Sequence, residues 1–328
     1  MPSPAPEKNR VLVIGSFVQD LTWDCAEFPR AGETVIGRFR TGPGGKGSNQ
    51  AVAAARAGAR VTFVGGLGKD TFGDGAREFL RAEGIDCRAV EKSGVATGTA
   101  GILVNAHGQN EIVVALGASA ALQPADLDAQ MDIFKSAAVV LVQHEATLEV
   151  NAHALRRARA AGALTMLNPA PMRADFDPAI LSSVDLLVPN ETEFAALVNR
   201  LPDAAAKIGG EPFNETALAA LDTAALQALC RCCGVPTVII TLGARGCFVS
   251  TSAGGELVPA VTDVRVVDTT GAGDAFAGAL AAGLAEFGRG EVARAARFAN
   301  VAAALSVTRV GTAPAMPRRA EIDALFSA

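Results

Sequence analysis

Residues 264–276 read VRVVDTTGAGDAF, and this stretch decides which fold the chain is expected to adopt. Its apolar side chains alternate up to Asp268 and predict a strand, a glycine-containing turn follows, and small residues open a helix near Asp274. The unpaired backbone amides at such a helix start attract phosphate, and glycine lets a ligand approach the backbone closely. Taken alone, the stretch also fits an ordinary strand, turn and helix with Asp274 as a first-turn acid.

The carboxylate of Asp274 would repel a bound phosphate unless it had a chemical role beside it. The role that fits is to take a proton from a hydroxyl group that attacks the phosphate. The amides of Gly271, Ala272 and Gly273 would then form an anion hole for the transferring phosphoryl group. The stretch therefore predicts phosphoryl transfer with Asp274 as the catalytic base.

A second glycine-rich segment, GPGGKGSNQ at 42–50, precedes an alanine-rich helix. It is not a Walker A loop, because Gly47 follows Lys46 where that motif needs Ser or Thr, and Arg40 stands where it needs glycine. Lys46 and Asn49 would supply directional hydrogen-bond donors to ligand hydroxyl groups. A flexible turn with a solvated lysine fits the segment equally well.

The composition favours a large hydrophobic core and excludes several classes of function. Half of the 328 residues are hydrophobic, and the formal net charge of −5 argues against nucleic-acid binding through bulk electrostatics. No apolar run reaches membrane-spanning length, and residues 1–10 are polar and proline-rich without an apolar signal core. We therefore expect a cytoplasmic protein with no membrane or nucleic-acid partner, which begins with a disordered tail.

The cysteines and histidines predict neither a disulfide framework nor a metal site. Cys230, Cys232 and Cys233 lie together on a predicted helix but lack the paired spacing of a zinc site, so we expect core or surface thiols. The three histidines are scattered, and His144 at a strand end is typical of a packed side chain.

Buried strands and helices alternate along most of the chain. This order predicts an α/β fold with a doubly wound, mostly parallel sheet flanked by helices. The expected strands are 11–15, 61–65, 138–143, 164–168, 186–189 and 237–241. The expected helices are 47–58, 72–83, 148–161, 192–199, 223–233, 274–287 and 291–307.

Two stretches interrupt this alternation and predict a small β-sheet inserted in two pieces. We expect it to be a lid, built from about 17–44 and 95–117, on a main domain that spans 11–328. A lid is useful because phosphoryl transfer must exclude water. The acidic segment 201–222 is interrupted by glycine and proline and is expected to be an exposed loop. The expected lid strands are 34–41, 97–104 and 110–116.

Together, GGKGSN at 44–49 and DTTGAGD at 268–274 resemble the two signature motifs of the ribokinase family of sugar kinases, the PfkB type. The resemblance extends from about Val11 to Phe326, and its landmarks keep their order, which argues against chance similarity. Within the family the sequence is most similar to the ribokinases. The intervening landmarks are NPAP at 168–171, PNETE at 189–193 and TLGARG at 241–246.

The resemblance implies a kinase that uses ATP and Mg²⁺, with Glu193 contacting the ion through water. A helix N-cap with first-turn acids is an alternative reading of Asn190 and Glu193, and both readings can hold together. The positions that match sugar-binding residues are Asp20, Gly45, Lys46, Asn49 and Glu145. The positions that match nucleotide-binding residues are Asn190, Thr241, Gly243 and Asn300.

The resemblance also implies a monovalent cation, usually K⁺, bound beside the anion hole mainly through carbonyl oxygens. Ala315 stands where ribokinases often have a serine ligand. Family lids close over the sugar and often pair between subunits, so we expect a homodimer formed through the lid. The positions that match the cation site are Asp268, Thr270, Ser306, Arg309 and Gly311.

D-ribose, phosphorylated at its 5-hydroxyl, is the substrate that the resemblance implies. The segment GSFVQD at 15–20 resembles the sugar-binding strand end of the family, but Val18 stands where ribokinases have asparagine. Loss of that amide removes a hydrogen-bond partner for one sugar hydroxyl and favours a sugar that lacks it. Phosphorylation of 2-deoxyribose or of another sugar therefore stays open.

Three other functions are alternatives to phosphorylation of a sugar. A nucleoside kinase needs stacking surface for a base, which Phe17 and Trp23 would supply in part. A non-catalytic sugar-binding protein on the same fold is disfavoured by the retention of Asp274. A dinucleotide-dependent oxidoreductase is disfavoured because Phe276 occupies the position of the third fingerprint glycine.

Overall fold

The computed structural model describes residues 10–205, 208 and 212–327. The expected disordered tail lies outside these residues, except that Arg10 begins the first strand. The strands are β1 (Arg10–Ile14), β2 (Val18–Asp24), β3 (Arg38–Gly44), β4 (Arg60–Val64), β5 (Gly66–Gly68), β6 (Asp86–Cys87), β7 (Val90–Lys92), β8 (Gly98–Val104), β9 (Asn110–Ala115), β10 (Ala137–Gln143), β11 (Leu164–Asn168), β12 (Leu186–Leu187), β13 (Thr237–Thr241), β14 (Cys247–Thr251) and β15 (Gly254–Val258). The α-helices are α1 (Lys46–Arg56), α2 (Thr71–Ala82), α3 (Pro124–Asp128), α4 (Asp132–Lys135), α5 (Leu148–Ala160), α6 (Glu191–Val198), α7 (Pro202–Ala205), α8 (Glu215–Ala219), α9 (Thr223–Cys232), α10 (Ala272–Phe287), α11 (Val292–Ser306) and α12 (Arg319–Phe326).

A nine-stranded sheet in the order β15-β14-β13-β12-β11-β10-β1-β4-β6 organises the fold. Neighbouring strands are parallel from β13 to β6, whereas β14 and β15 are antiparallel and were not expected from the sequence. The strand order reverses between β1 and β10, which is where such sheets bind ligands. The predicted doubly wound, mostly parallel sheet is confirmed.

Both faces of this sheet are covered by helices. Side chains of a strand alternate between faces, so Val11 and Val13 of β1 pack into one hydrophobic cluster with residues of α1, α10 and α11. Leu12 and Ile14 pack into a second cluster with residues of α5, α6 and α9. Among the helices of the described ranges, none is long and apolar enough to cross a membrane.

The expected small sheet is present as four strands in the order β3-β2-β8-β9. The predicted hairpin is confirmed, because β8 and β9 pair antiparallel with Val104 opposite Asn110. The strand expected at 34–41 begins only at Arg38 and continues to Gly44. Its partner β2 was not predicted as a strand, although it lies within the range expected for the lid.

Two other expectations are wrong. Residues 264–268 do not form a strand, because no neighbouring strand pairs with them, and Val266 and Val267 are more than half exposed. An alternating pattern indicates which side chains share a face of a strand, but it does not show whether another strand lies alongside to pair with it. The segment 201–222, expected to be an exposed loop, contains the short helices α7 and α8. Phe213 and Leu218 of this segment are buried. Residues 206–207 and 209–211 lie outside the described residues.

Helices α1 and α10 pack closely, and a glycine in α10 permits it. A Cβ added at Gly278 would lie 2.4 Å from the carbonyl oxygen of Gln50 and 2.6 Å from the Cβ of Ala53. Real Cβ atoms do not approach backbone this closely, so an added methyl group would force the helices apart.

We predict that Gly278→Ala lowers the free energy of unfolding by about 1–3 kcal/mol, because overpacking separates α1 from α10. Chemical denaturation followed by circular dichroism measures the change. Gly75→Ala is the matched control, because Gly75 also lies within a helix but has no atom within 4 Å of an added Cβ. The control should be stabilised by about 0.5–1 kcal/mol, and equal effects of the two changes would contradict the prediction.

Candidate active site

The amino end of α10 presents backbone amides that an anion can bind. Gly271 is the N-cap and adopts φ 82° and ψ 0°, the left-handed conformation that glycine reaches without strain. In the described part of the chain, the amides of Gly271 and Gly273 have no hydrogen-bond partner, whereas the amide of Ala272 donates to the carbonyl of Thr269 at 3.2 Å. Two of the three expected anion-hole amides are therefore open to a ligand.

Asp274 lies in the first turn of α10, and its carboxylate is held by two side chains of α1. Asn49 Nδ2 donates to its Oδ2 at 3.0 Å, and Gln50 Nε2 donates to its Oδ1 at 2.9 Å. The carboxylate is buried, with 6% of the residue exposed, and it still faces a cavity. Asn49 Oδ1 is buried without a partner and can accept a hydrogen bond from a ligand hydroxyl group.

The cavity in front of Asp274 brings the two predicted motifs together. Lys46 at the start of α1 and Glu193 at the start of α6 line it with Asp274. These three residues are far apart in the sequence and meet at the carboxyl ends of the parallel strands. The remaining lining residues are Asn168, Ala170, Val188, Asn190, Thr241, Thr269, Gly271, Ala272 and Gly273.

The charges in this cavity perturb one another. Burial lowers the pKa of Lys46, but Asp274, Glu145 and Glu193 outweigh it and raise that pKa above its ordinary value. Burial raises the pKa of Glu193, although the Asn190 amide and Lys46 oppose the change. Lys46 is therefore a firmly protonated cation that faces several carboxylates.

Glu193 and Asn190 also form the N-terminal cap of α6. The Asn190 side chain accepts from the Glu193 amide at 2.8 Å, and Glu193 Oε2 accepts from the Asn190 amide at 3.0 Å. This capping box confirms the alternative reading of the PNETE segment. The cap uses only one of the two carboxylate oxygens of Glu193, so the structural role and a ligand role are compatible.

The expected sugar contacts converge on the other side of Lys46. Glu145 accepts from the Lys46 amide at 2.8 Å and from the hydroxyl group of Ser16. The carboxyl group of Asp20 lies against Gly44, where an added Cβ would approach it to 2.4 Å. Burial and the nearby Glu145 raise the pKa of Asp20 to about 6, and Arg40 partly opposes this.

Glycine is required at position 45 by the neighbouring backbone, whether or not a ligand binds there. Its φ is 88°, and a Cβ there would lie 2.7 Å from the amide nitrogen of Val18. Only glycine allows α1 to begin so close to the strand that carries Val18 and Asp20.

The sequence analysis assigned no role to three residues that the structure places at this site: Ser16, Gln50 and Gln143. Ser16 follows β1 and Gln143 ends β10, so both lie at the carboxyl edge beside the reversal of strand order. That position was the available signal, because ligand sites of such sheets gather there. Gln50 adjoins Asn49 in the glycine-rich motif, which was a second signal.

A second, mostly apolar cavity adjoins the first. Thr241, Thr269 and Gly273 line both cavities, so the two meet at the amino end of α10. Gly243 also lines the second cavity. The other lining residues are Ala244, Gly246, Ala260, Val261, Thr262, Val264, Val266, Ala272, Phe276, Asn300, Ala303, Ala304 and Val307.

Asn300 lies in this second cavity, but its amide already has partners. Its Nδ2 donates to the carbonyls of Val258 and Pro259 at 3.1 and 3.0 Å. The side chain therefore fixes the end of β15, and the walls supply mainly apolar contact to a bound group.

The residues expected at a monovalent cation site lie in the turn before α10, at the end of α11 and in the loop after α11. Asp268 accepts hydrogen bonds from the amides of Thr270 and Gly311, each at 2.9 Å. Burial alone would raise the pKa of Asp268, but these donors lower it, so the carboxylate is ionised. Arg309 pairs with Glu321, and Ser306 Oγ donates to the Ala303 carbonyl at 2.8 Å.

His144 and two of the three clustered cysteines are packed in the interior of the protein. His144 is buried against Phe176, and burial lowers its pKa to about 4, so it is neutral at physiological pH. Cys230 and Cys233 are buried core thiols whose pKa values burial raises. Within residues 10–205, 208 and 212–327, no group of three or more His, Cys, Asp or Glu side chains could hold a metal ion.

The chain is similar to known proteins along almost its whole length. The family model described as pfkB family carbohydrate kinase matches residues 8–319. The ribokinase of Mus musculus is 37% identical over 326 residues, which cover 98% of this chain and 96% of that protein. The deoxyribokinase of Salmonella typhi is 35% identical over 309 residues, which cover 94% of this chain and 95% of that protein.

Solved structures show the same architecture. The ribokinase of Arabidopsis thaliana complexed with ribose and ATP superposes with a TM-score of 0.86 at 29% identity, over 98% of this chain and 99% of that one. The ribokinase of Giardia lamblia superposes with a TM-score of 0.85 at 34% identity, over the same shares of the two chains.

The raised pKa of Asp20 predicts a pH-dependent stability. Between its ordinary value of 3.8 and about 6 the folded protein holds more protons than the unfolded chain, so stability falls as the pH rises through this window. Asp20→Asn cannot ionise and should raise the free energy of unfolding by about 1–3 kcal/mol at pH 8, with no gain near pH 4. Urea denaturation at both pH values measures the difference.

Asp24→Asn is the control for this change, because Asp24 lies on the same strand with 44% of its side chain exposed. It should show no gain that grows with pH. A gain for Asp20→Asn that is the same at pH 4 and pH 8 would contradict the assignment of the effect to ionisation.

Proposed function

Because the chain belongs to the pfkB family of carbohydrate kinases, we propose that it transfers the γ-phosphoryl group of ATP to the 5-hydroxyl of D-ribose. The chain is an ATP-dependent sugar kinase, a phosphotransferase with an alcohol group as acceptor. Relatives named ribokinase and a neighbour structure complexed with ribose and ATP support D-ribose as the sugar.

One observation carries the proposal: the Asp274 carboxylate lies beside open backbone amides at the point where the two cavities meet. In-line phosphoryl transfer needs the acceptor oxygen on one side of the phosphorus and the leaving oxygen on the other. The polar cavity with Lys46 and Asp274 suits the sugar, and the apolar cavity suits the adenine base.

Asp274 accepts the proton of the attacking hydroxyl group, which makes the sugar oxygen a better nucleophile. The amides of Gly271 and Gly273 donate to the oxygens of the transferring phosphoryl group and stabilise its charge. Lys46 adds a positive charge on the same side. Asn49, Glu145 and Asp20 bind the other sugar hydroxyls and fix the orientation of the attacking one.

The donor set fits Mg²⁺ bound with the nucleotide. Glu193 is a buried carboxylate that faces the cavity, and one of its oxygens is not used in the helix cap. Burial raises the pKa of Glu193, and a cation bound nearby would favour its charged form. When bound, Mg²⁺ neutralises phosphate charge and keeps most of its water ligands, so Glu193 and Asn190 would hold it through water.

We also propose a K⁺ site formed by carbonyl oxygens of Thr270, Ser306, Arg309 and Gly311, with Asp268 nearby. Asp268 supports this proposal because its ionised carboxylate ties the two loops together and gives the region negative charge. A cation there would stabilise the loop that precedes the anion hole.

The small sheet would act as the lid and as a dimer contact. Asp20 at the sugar site lies on β2 of this sheet, so the sheet would close over the sugar and exclude water. The edge strand β9 exposes Ile112, Val113 and Val114, and an exposed apolar edge strand is suited to pairing with a second copy of the chain.

A second candidate substrate is 2-deoxyribose, and Val18 favours it. Val18 is buried at the start of β2 and its backbone lies against Gly45, within the expected sugar site. Its side chain offers no hydrogen bond to a sugar hydroxyl, so a hydroxyl placed there would lose its water without compensation. The similarity to a deoxyribokinase agrees with this candidate.

We predict that Asp274→Asn lowers kcat by about 10²- to 10⁴-fold, because the amide cannot accept the proton of the attacking hydroxyl. ADP release with saturating Mg·ATP and D-ribose, or 2-deoxyribose, measures the rate. Asp222→Asn is the control, because Asp222 caps α9 and asparagine caps helices equally well. Near-parental turnover of Asp274→Asn would refute the proposed base.

We predict that Val18→Asn raises the ratio of kcat/KM for D-ribose to that for 2-deoxyribose by about tenfold, because the new amide pairs with the extra hydroxyl. Steady-state kinetics with both sugars give the ratio. Val18→Ala, which removes volume without adding an amide, should leave the ratio unchanged. If asparagine and alanine change it equally, the selectivity does not depend on hydrogen bonding at this position.

A further inference from the structure

Gln50 is fully buried beneath the candidate active site, and all of its side-chain hydrogen-bonding groups are engaged. Its Nε2 donates to Asp274 Oδ1 at 2.9 Å and to Asn168 Oδ1 at 2.9 Å. Its Oε1 accepts from Gln143 Nε2 at 2.6 Å. Neither the expected sugar contacts nor the expected nucleotide contacts include this residue.

The direction of these hydrogen bonds is fixed by a chain of partners. The carbonyl of Val188 can only accept, so the Asn168 amide nitrogen must face it, at 2.7 Å, and Asn168 Oδ1 must face Gln50. An ionised Asp274 can also only accept. The Gln50 amide nitrogen therefore has to point at both oxygens, and Gln143 has to donate to Gln50 Oε1.

Asn49 and Gln50 hold the same carboxylate in different ways. Asn49 keeps a free, buried Oδ1 and lies among the expected sugar contacts, so it can exchange partners when a ligand binds. Gln50 cannot, because both of its donors and its acceptor already have partners. Gln50 is thus the restraint on Asp274 that persists when a substrate enters.

We propose that Gln50 is a positioning residue for the reaction: it fixes the plane of the Asp274 carboxylate, so that the remaining lone pairs of the carboxylate face the acceptor hydroxyl. This rests on the proposed function of Asp274 as the base. Loss of Gln50 would remove one of the two side-chain donors that orient this carboxylate. Lys46 and Glu193 also line this cavity, and Glu145 interacts electrostatically with both Lys46 and Asp20.

The experiment compares Gln50→Met with Gln227→Met in the full chain. Methionine keeps the length of the side chain and removes its donors. Gln227 is the control, because its Nε2 also donates to an oxygen within the protein, the half-buried Thr251 carbonyl at 2.9 Å, at the end of β14 away from the site. The measurements are kcat, KM for Mg·ATP and for D-ribose or 2-deoxyribose, and kcat as a function of pH.

For Gln50→Met we expect kcat to fall by about tenfold or more, with both KM values within about twofold of the parent. The acid limb of the pH profile should move upward by about one pH unit, because the carboxylate loses a donor. Gln227→Met should keep the parental kcat and profile. A Gln50→Met enzyme with parental kcat, or with an unshifted profile and raised KM values, would overturn the proposal.

If Gln50→Met does not fold, Gln143→Met is measured in its place. This change removes the donor that orients Gln50 and leaves both donors to Asp274 present. It should lower kcat and shift the acid limb in the same direction by a smaller amount, and a parental profile would overturn the proposal. Asp274→Asn separates the two claims. If that variant is inactive while the glutamine variants are unaffected, the base stands and the positioning role fails.

Discussion

The close approach of α1 to α10 is the constraint on which the site depends. Gly278 lets the two backbones meet, and only at that distance do Asn49 and Gln50 of α1 reach the carboxylate on α10. A buried carboxylate without donors would be costly, and here two neutral amides supply them. Core packing and the chemistry of the site are therefore set by the same helix contact.

The acids of the cavity are held by neutral groups rather than by arginine side chains. Asp274 is bound by two amides, Glu145 by a hydroxyl and a backbone amide, and Glu193 by a backbone amide. Lys46 is the cation to which all three are electrostatically coupled. Carboxylates that are fixed but not neutralised suit a site whose remaining positive charge arrives with the nucleotide.

The sequence predicted the parts of this fold that short patterns encode. The alternation of strand and helix patterns predicted the doubly wound sheet. The two glycine motifs predicted where the open backbone amides and the segment around Lys46 would be found. The strand predicted at 264–268 from the alternating pattern is absent, because a strand needs a partner and no strand lies beside this segment. The two short helices within 201–222 were not predicted, because glycine, proline and acidic residues in this segment are typical of a loop.

The amide chain through Gln50 could not be predicted from patterns, because it joins residues between 93 and 224 positions apart. Such contacts depend on how strands and helices stack, which no local window reports. Asn300 shows the same limit. Its position beside a cavity fits the family pattern, but its donors turned out to hold the backbone at Val258 and Pro259.

The long separation between α1 and α10 affects how the protein is made. During synthesis, the segment with Lys46 and Asn49 leaves the ribosome early, whereas the turn at Gly271 and the carboxylate of Asp274 appear only after about four fifths of the chain. A copy that ends before residue 271 thus lacks both the turn and the carboxylate on which the proposed reaction depends. The proposed site can therefore assemble only after most of the chain has been synthesised.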